Sequence, residues 1–295
     1  GLSKRCFPSF LSERRQLAAV ETMMPLAGAV QDSLVKAAFG HASIAASGLL
    51  ALAAAAPVFA ASTNLIPVAD TTLSESYPSN NFGVMTFVNS GTTQNFTRNR
   101  ALLRFDPASV IPAGSRITSA RLILEVTRLP ADGFAFADFG LHRLLVPWGE
   151  GSKTNTSGGG AGQGSPASTN EATWFYRFAF TSDIWSAPGA AATNDYVATP
   201  SASQTVYGIN DSPYTFGSTA QTVADTQFWL DYPQSNFGWI LVCQTEAADF
   251  SARRFGSREN PNYAPHLEIN YLVAPAIDRG EKSGDHVNFW FTAQP

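Results

Sequence analysis

The chain has 295 residues, of which 14% are charged, with a net charge of -4 and a pI near 5.6. That length is enough to bury a substantial core, and the charge balance excludes the basic footprint with which proteins neutralise nucleic-acid phosphates. Past residue 60 lysine occurs only at Lys153 and Lys282, while Arg, Thr, Ser, Asn and Phe are plentiful, which suits a β protein working outside the cell.

Residues 1–22 precede the first methionines, Met23 and Met24, and are set aside as upstream sequence. Residues 23–60 read as a signal peptide, with Lys36, an Ala/Leu-rich run from Ile44 to Ala56, and small residues at Val58 and Ala60 that place cleavage after Ala60. A retained membrane anchor is the alternative, but the run is only weakly apolar and polar sequence follows it. Cleavage leaves no membrane contact. It also removes Cys6, so Cys243 is the lone thiol, and its place in the apolar run Trp239–Cys243 reads as a small buried hydrophobe rather than a nucleophile.

From Asn64 onward no stretch keeps the apolar spacing of a helix, whereas short alternating runs bounded by Gly, Pro, Asn and Ser recur. In Arg100–Phe105 the positions Ala101, Leu103 and Phe105 point inward, with Arg100 and Arg104 on the opposite face. In 117–127, Ala120, Leu122, Leu124 and Val126 share a face. His266–Tyr271 alternates as cleanly. Further strands are expected over Leu65–Ser74, Val84–Asn89, Gly140–Val146, Thr173–Phe178, Gln204–Tyr207, Thr226–Leu230, Gly238–Thr245 and Arg253–Ser257. This pattern predicts an all-β protein, a single antiparallel two-sheet sandwich or jelly-roll-like domain over 64–271, with a tail over 272–295. Gly149–Asn170 reads as a flexible surface loop and Trp185–Ser203 as a segment wrapping an edge. The heptapeptides Tyr77–Gly83 and Tyr232–Gly238 resemble each other and read as one turn used twice.

Four ordered blocks carry a resemblance. They are Ala69-Asp70-Thr71-Thr72 with Asn81-Phe82-Gly83; Arg100–Asp106; Ile111–Leu122; and Arg254–Glu259 with Pro265–Ile269. Trp148-Gly149-Glu150 and Ala172-Thr173-Trp174 lie between them. Together they resemble the DNRLRE-type domain, a family of secreted and surface proteins that overlaps a class of carbohydrate-binding modules. The family letters fall on Asp70, Asn81, Arg100, Leu103, Arg258 and Glu259. The resemblance implies a jelly-roll-like sandwich and, as in some members, recognition of polysaccharide.

Two readings compete for the arginines. In one, Arg258 or Arg100 closes an ion-pair network with Asp70, Glu259 or Asp106, because an unpaired buried charge is costly. In the other, Arg100, Arg104, Arg254 and Arg258 form a cationic sheet face that forks onto uronic-acid carboxylates. Trp148 and Trp185 flank long polar loops and are candidates for sugar stacking, with loop packing as the competing role. A structural calcium is compatible with the composition, with Asp70, Asp106 and Asp138 as candidate ligands although no ligand-spaced cluster contains them. No other cofactor is expected.

The histidines His142, His266 and His286 have no partner at metal-ligand spacing, and the Gly-x-Ser-x-Gly elbow is missing. The sequence thus predicts a secreted or cell-surface, noncatalytic domain whose partner is a polysaccharide or cell-surface glycan, acidic glycans included. The alternatives are a self-associating structural matrix or filament protein and, third, a polysaccharide lyase.

Overall fold

The computed structural model describes residues 59–131, 133, 135–155, 162–273, 276–283 and 286–292. The expected export signal up to residue 58, Cys6 and the 157–161 centre of the glycine-rich loop lie outside the described residues.

Among the described residues, sixteen strands and one α-helix follow in chain order. They are β1 (Phe59–Leu65), β2 (Ala69–Ser74), β3 (Asn80–Asn81), β4 (Phe87–Thr92), β5 (Arg98–Arg104), β6 (Arg116–Leu124), β7 (Val126–Arg128), β8 (Ala137–Arg143), β9 (Ser165–Pro166), β10 (Ala202–Val206), β11 (Tyr214–Gly217), α1 (Ala220–Asp231), β12 (Trp239–Cys243), β13 (Arg253–Gly256), β14 (His266–Val273), β15 (Ala276–Ser283) and β16 (His286–Thr292). One antiparallel sheet runs β1-β14-β6-β11, and a larger one runs β10-β8-β12-β5-β4-β13-β7 with β2 on the far edge of β5. Part of the tail forms the β15–β16 hairpin.

Strand alternation builds the core between these sheets. Ala101, Leu103 and Phe105 from the β5 segment, with Trp239, Leu241 and Cys243 from β12, meet Ala120, Leu122 and Leu124 of β6 and Leu267 and Ile269 of β14 in one buried cluster. The expected all-β sandwich is what the chain forms. Cys243 is buried in it, as its apolar run implies.

Two local readings need correction. Residues 226–230 belong to helix α1, not to a strand. Thr219 caps the helix by accepting a hydrogen bond at its hydroxyl from the Thr222 N–H, and the buried residues Thr222, Asp225, Thr226, Trp229 and Leu230 recur at helical spacing. Three of those five are polar, which hides the period from an apolar count. Over Thr173–Phe178 the only ladder contact among the described residues is an isolated bridge, Tyr176 with Ile184.

The long segment between β8 and β10 also does more than wrap an edge. It lays Leu144, Trp148, Ala172, Trp174, Trp185, Ala190 and Tyr196 over the outer face of the large sheet, against Leu73, Leu102, Ile240 and Val242. Those residues form a second core, so the middle of the large sheet is covered on both faces. This explains why all six residues of β2 are buried.

The heptapeptide pair is a turn that ends in an asparagine clip. The Asn81 side-chain amide donates to the carbonyls of Glu150 and Ala172, and its oxygen accepts the N–H groups of Gly83 and Lys153. The equivalent Asn236 amide donates to the Phe105 carbonyl at 2.6 Å. Gly238 after it sits at φ +80, and a Cβ there would fall 2.1 Å from the Leu103 carbonyl oxygen, so only glycine fits.

Candidate functional site

The expected arginine face divides into a closed part and an open part. Arg100 and Arg104 do project from the outer side of β5, but the second core covers Arg100 and leaves Arg104 half-buried. Arg100 is 8% exposed. Its guanidinium binds both Glu246 carboxylate oxygens at 2.8 and 2.6 Å and donates to the Gly189 and Ala190 carbonyls. The guanidinium of Arg104 lies 5.8 Å from the Trp148 ring centroid. Trp148 and Trp185 are themselves buried, and their indole N–H groups donate to the carbonyls of Phe237 and Thr173. Their faces serve loop packing and are closed to a sugar.

Arg258 stands at the centre of an ion-pair network, on the turn that follows β13. Its Nε and Nη2 meet the two Glu150 oxygens at 2.6 and 3.0 Å, Nε also reaches Glu259 at 2.9 Å, and its backbone N–H donates to Asp70. Asp70 and Glu259 are thus brought to Arg258, together with Glu150, which the sequence places in the Trp148-Gly149-Glu150 block but not in this network. Asp70 Oδ1 is buried without a hydrogen-bond partner. Burial, reinforced by the Glu259 and Glu150 charges and opposed by the Arg258 N–H, holds its pKa well above the ordinary 3.8. Burial also raises that of Glu150.

Asp106 lies apart from this network and accepts the Ser109 hydroxyl at its backbone carbonyl. Asp138 accepts the Thr205 hydroxyl on β8. Among the described residues no group of three or more His, Cys, Asp or Glu side chains is placed to hold a metal ion. The three candidate calcium ligands sit on separate elements.

Arg254 belongs to the less covered part and is half-buried, its Nη2 close against Gly162. On β13 it stands in register with Asn89 of β4 on one side and Arg128 of β7 on the other. These three residues, with Gln94, Leu129, Pro130 and Ala131, line a groove of about 300 Å³. The Arg254 guanidinium lies 3.5 Å from the centroid of the Phe87 ring, a cation–π contact that fixes its plane. Its Nε approaches the Asn89 side-chain oxygen at 3.4 Å. Burial and the neighbouring Arg128 charge lower its pKa to about 10, so it keeps its charge at neutral pH.

Beside the groove, Phe136 and Tyr207 form a tilted aromatic pair, 5.7 Å between centroids, and are 55% and 48% exposed. Buried Arg253, which also lines the groove, ties the pair to the sheet by donating from Nε to the Tyr207 carbonyl. Sequence reasoning found Arg254 and missed Arg128, Asn89, Gln94, Phe136 and Tyr207. A register shift between β7 and β13 sets Arg128 opposite Arg254 although Val126, two residues earlier, is opposite the core residue Phe255, so no local signal marks it.

Fold and groove together define an all-β protein of two main antiparallel sheets, with Arg254 and Arg128 in register near one sheet edge. No protein-family model matches the chain, and no curated protein is similar to it.

Proposed function

We propose that this is a noncatalytic polysaccharide-binding domain that works outside the cell and takes acidic glycans in the Arg128/Arg254 groove. The observation that carries the reading is the cross-strand row Asn89, Arg254, Arg128, two arginines in register that line one groove. A planar guanidinium presents paired N–H donors that match a carboxylate. Aromatic rings supply rigid apolar area with few rotatable bonds, suited to the C–H face of a sugar. The resemblance to DNRLRE-type domains supports the same reading and adds secretion to it.

The test is calorimetric titration with oligogalacturonate and oligoguluronate at low and high salt. Binding is expected, weaker at high salt because exposed charges are screened, and lowered by about tenfold or more in Arg128→Ala/Arg254→Ala. No affinity for any polyuronate, or affinity unchanged in the double variant, overturns the reading. Growth of unsaturated-uronate absorbance during the incubation would replace it with a lyase.

A further inference from the structure

A second cleft, of about 430 Å³, is lined by Glu75, Thr92, Phe96, Arg98, Glu246 and Ala247. Its neighbour is the arginine groove. The turn joining β4 to β5 contributes Gln94 to the groove and Phe96 to the cleft, so two residues of one turn line the two sites.

The polar groups of the cleft are fixed in advance. Glu75 receives the Arg98 backbone N–H, Nε and Nη2 at 2.8, 2.9 and 2.7 Å, and Arg98 holds its carboxyl below the ordinary value. Glu246 is held through both oxygens by Arg100. The guanidiniums of Arg98 and Arg100 lie over the Trp174 ring, 5.3 and 6.0 Å from its centroid. Each carboxylate offers about four lone-pair sites and each guanidinium five N–H donors. The arginine contacts leave acceptor and donor capacity at the cleft. Two arginines balance two glutamates, so the cleft carries no net charge from these four groups.

Phe96 stands at the mouth under unfavourable conditions. It is 69% exposed and its φ is +56, a region bulky residues rarely adopt and which costs about 1–3 kcal/mol. The turn enforces this conformation. The Thr93 N–H donates to the Thr97 carbonyl at 2.8 Å, the Phe96 N–H donates to the Thr93 carbonyl at 3.1 Å, and the Thr97 hydroxyl bonds those of Thr93 and Ser76. Glycine or asparagine would sit there more cheaply. Neither core packing nor turn chemistry calls for an aromatic ring at this position.

We infer that this cleft is a second sugar subsite, for a neutral pyranose that stacks on Phe96 and donates its hydroxyls to Glu75 and Glu246. The inference rests on the glycan-binding reading above and adds to it. Uronate carboxylates find no net positive charge in this cleft and go to the arginine groove, so the polymer that fills both sites carries acidic and neutral residues.

The experiment titrates the protein and its Phe96→Gly and Glu75→Gln variants with cellohexaose, mannohexaose, xylohexaose and hexagalacturonate, with thermal unfolding followed in parallel. At least one neutral hexasaccharide binds. Phe96→Gly weakens that binding by about tenfold without lowering the unfolding temperature, since glycine relieves the backbone, and it leaves hexagalacturonate affinity within about twofold. Glu75→Gln also weakens neutral binding. No neutral hexasaccharide bound, or neutral binding indifferent to both variants, overturns the subsite while the acidic groove stands. Neutral binding that depends on Phe96, with no hexagalacturonate binding, overturns the acidic groove while the subsite stands.

Discussion

Arg100 and Arg254 are the same residue type, each on the polar phase of a strand in the same large sheet, and they have opposite fates. Arg100 lies under the long β8–β10 segment and is spent on Glu246 and two carbonyls. Arg254 lies outside the second core, half-buried against the Phe87 ring and Gly162, and lines a groove with Arg128. Strand alternation decides which side of a sheet a residue occupies. What later reaches across that side decides whether it is scaffold or site.

Breaking the covered region is expected to have the largest effect. Arg100→Ala strands the Glu246 carboxylate in a site where the two side chains are 9% and 16% exposed, and the expected loss is about 3–5 kcal/mol. Trp185→Ala removes a side chain from the second core and the donor for the Thr173 carbonyl, also at about 3–5 kcal/mol. Denaturant unfolding checks both. A loss within about 0.5 kcal/mol for either would show that the second core does not hold the insertion down.

The ion-pair network at Arg258 sharpens the comparison through pH. Because the folded pKa of Asp70 is raised above its ordinary 3.8, the folded state holds the proton more tightly than the unfolded one. Its share of stability is full below pH 3.8 and falls as pH rises through the folded value, where the buried carboxyl must ionise. Glu150 adds to the same slope. Asp70→Asn still accepts the Arg258 N–H and removes the Asp70 share, so the slope of unfolding free energy against pH flattens without vanishing. A slope equal to that of the unsubstituted protein would show that Asp70 does not titrate in this way.

The smallest stability effect is expected at the open region. Arg128 is exposed, and Arg128→Ala is expected to shift unfolding by no more than about 0.5 kcal/mol while weakening oligogalacturonate binding. A large stability loss there would erase the distinction between scaffold and site.

Much of the fold was legible because β5, β6 and β14 alternate cleanly and each buries the expected side. Helix α1 was not, because Thr222, Asp225 and Thr226 are buried through hydrogen bonds instead of apolarity. Asp225 alone accepts from the Ser201 hydroxyl and the Trp239 indole and pairs with Arg143. Nor was the second core, since the tryptophans at 148, 174 and 185 flank polar sequence and their burial depends on contacts distant along the chain. The candidate site was half legible. Arg254 carries a strand signal, whereas the Phe136–Tyr207 pair exists only once two remote segments meet. The register of β7 against β13 makes Arg128 its neighbour, and no local pattern encodes that.

The second core has a further consequence for how the molecule opens. A sheet with loops over one face and another sheet over the other exchanges its backbone protons only when a whole layer lifts away, because fraying from one side leaves the other in place. The central strands β5 and β12 are therefore the slowest part of the fold to meet solvent. The groove lies on β4, β13 and β7, toward the other end of the large sheet, and the cleft lies at the β4–β5 turn.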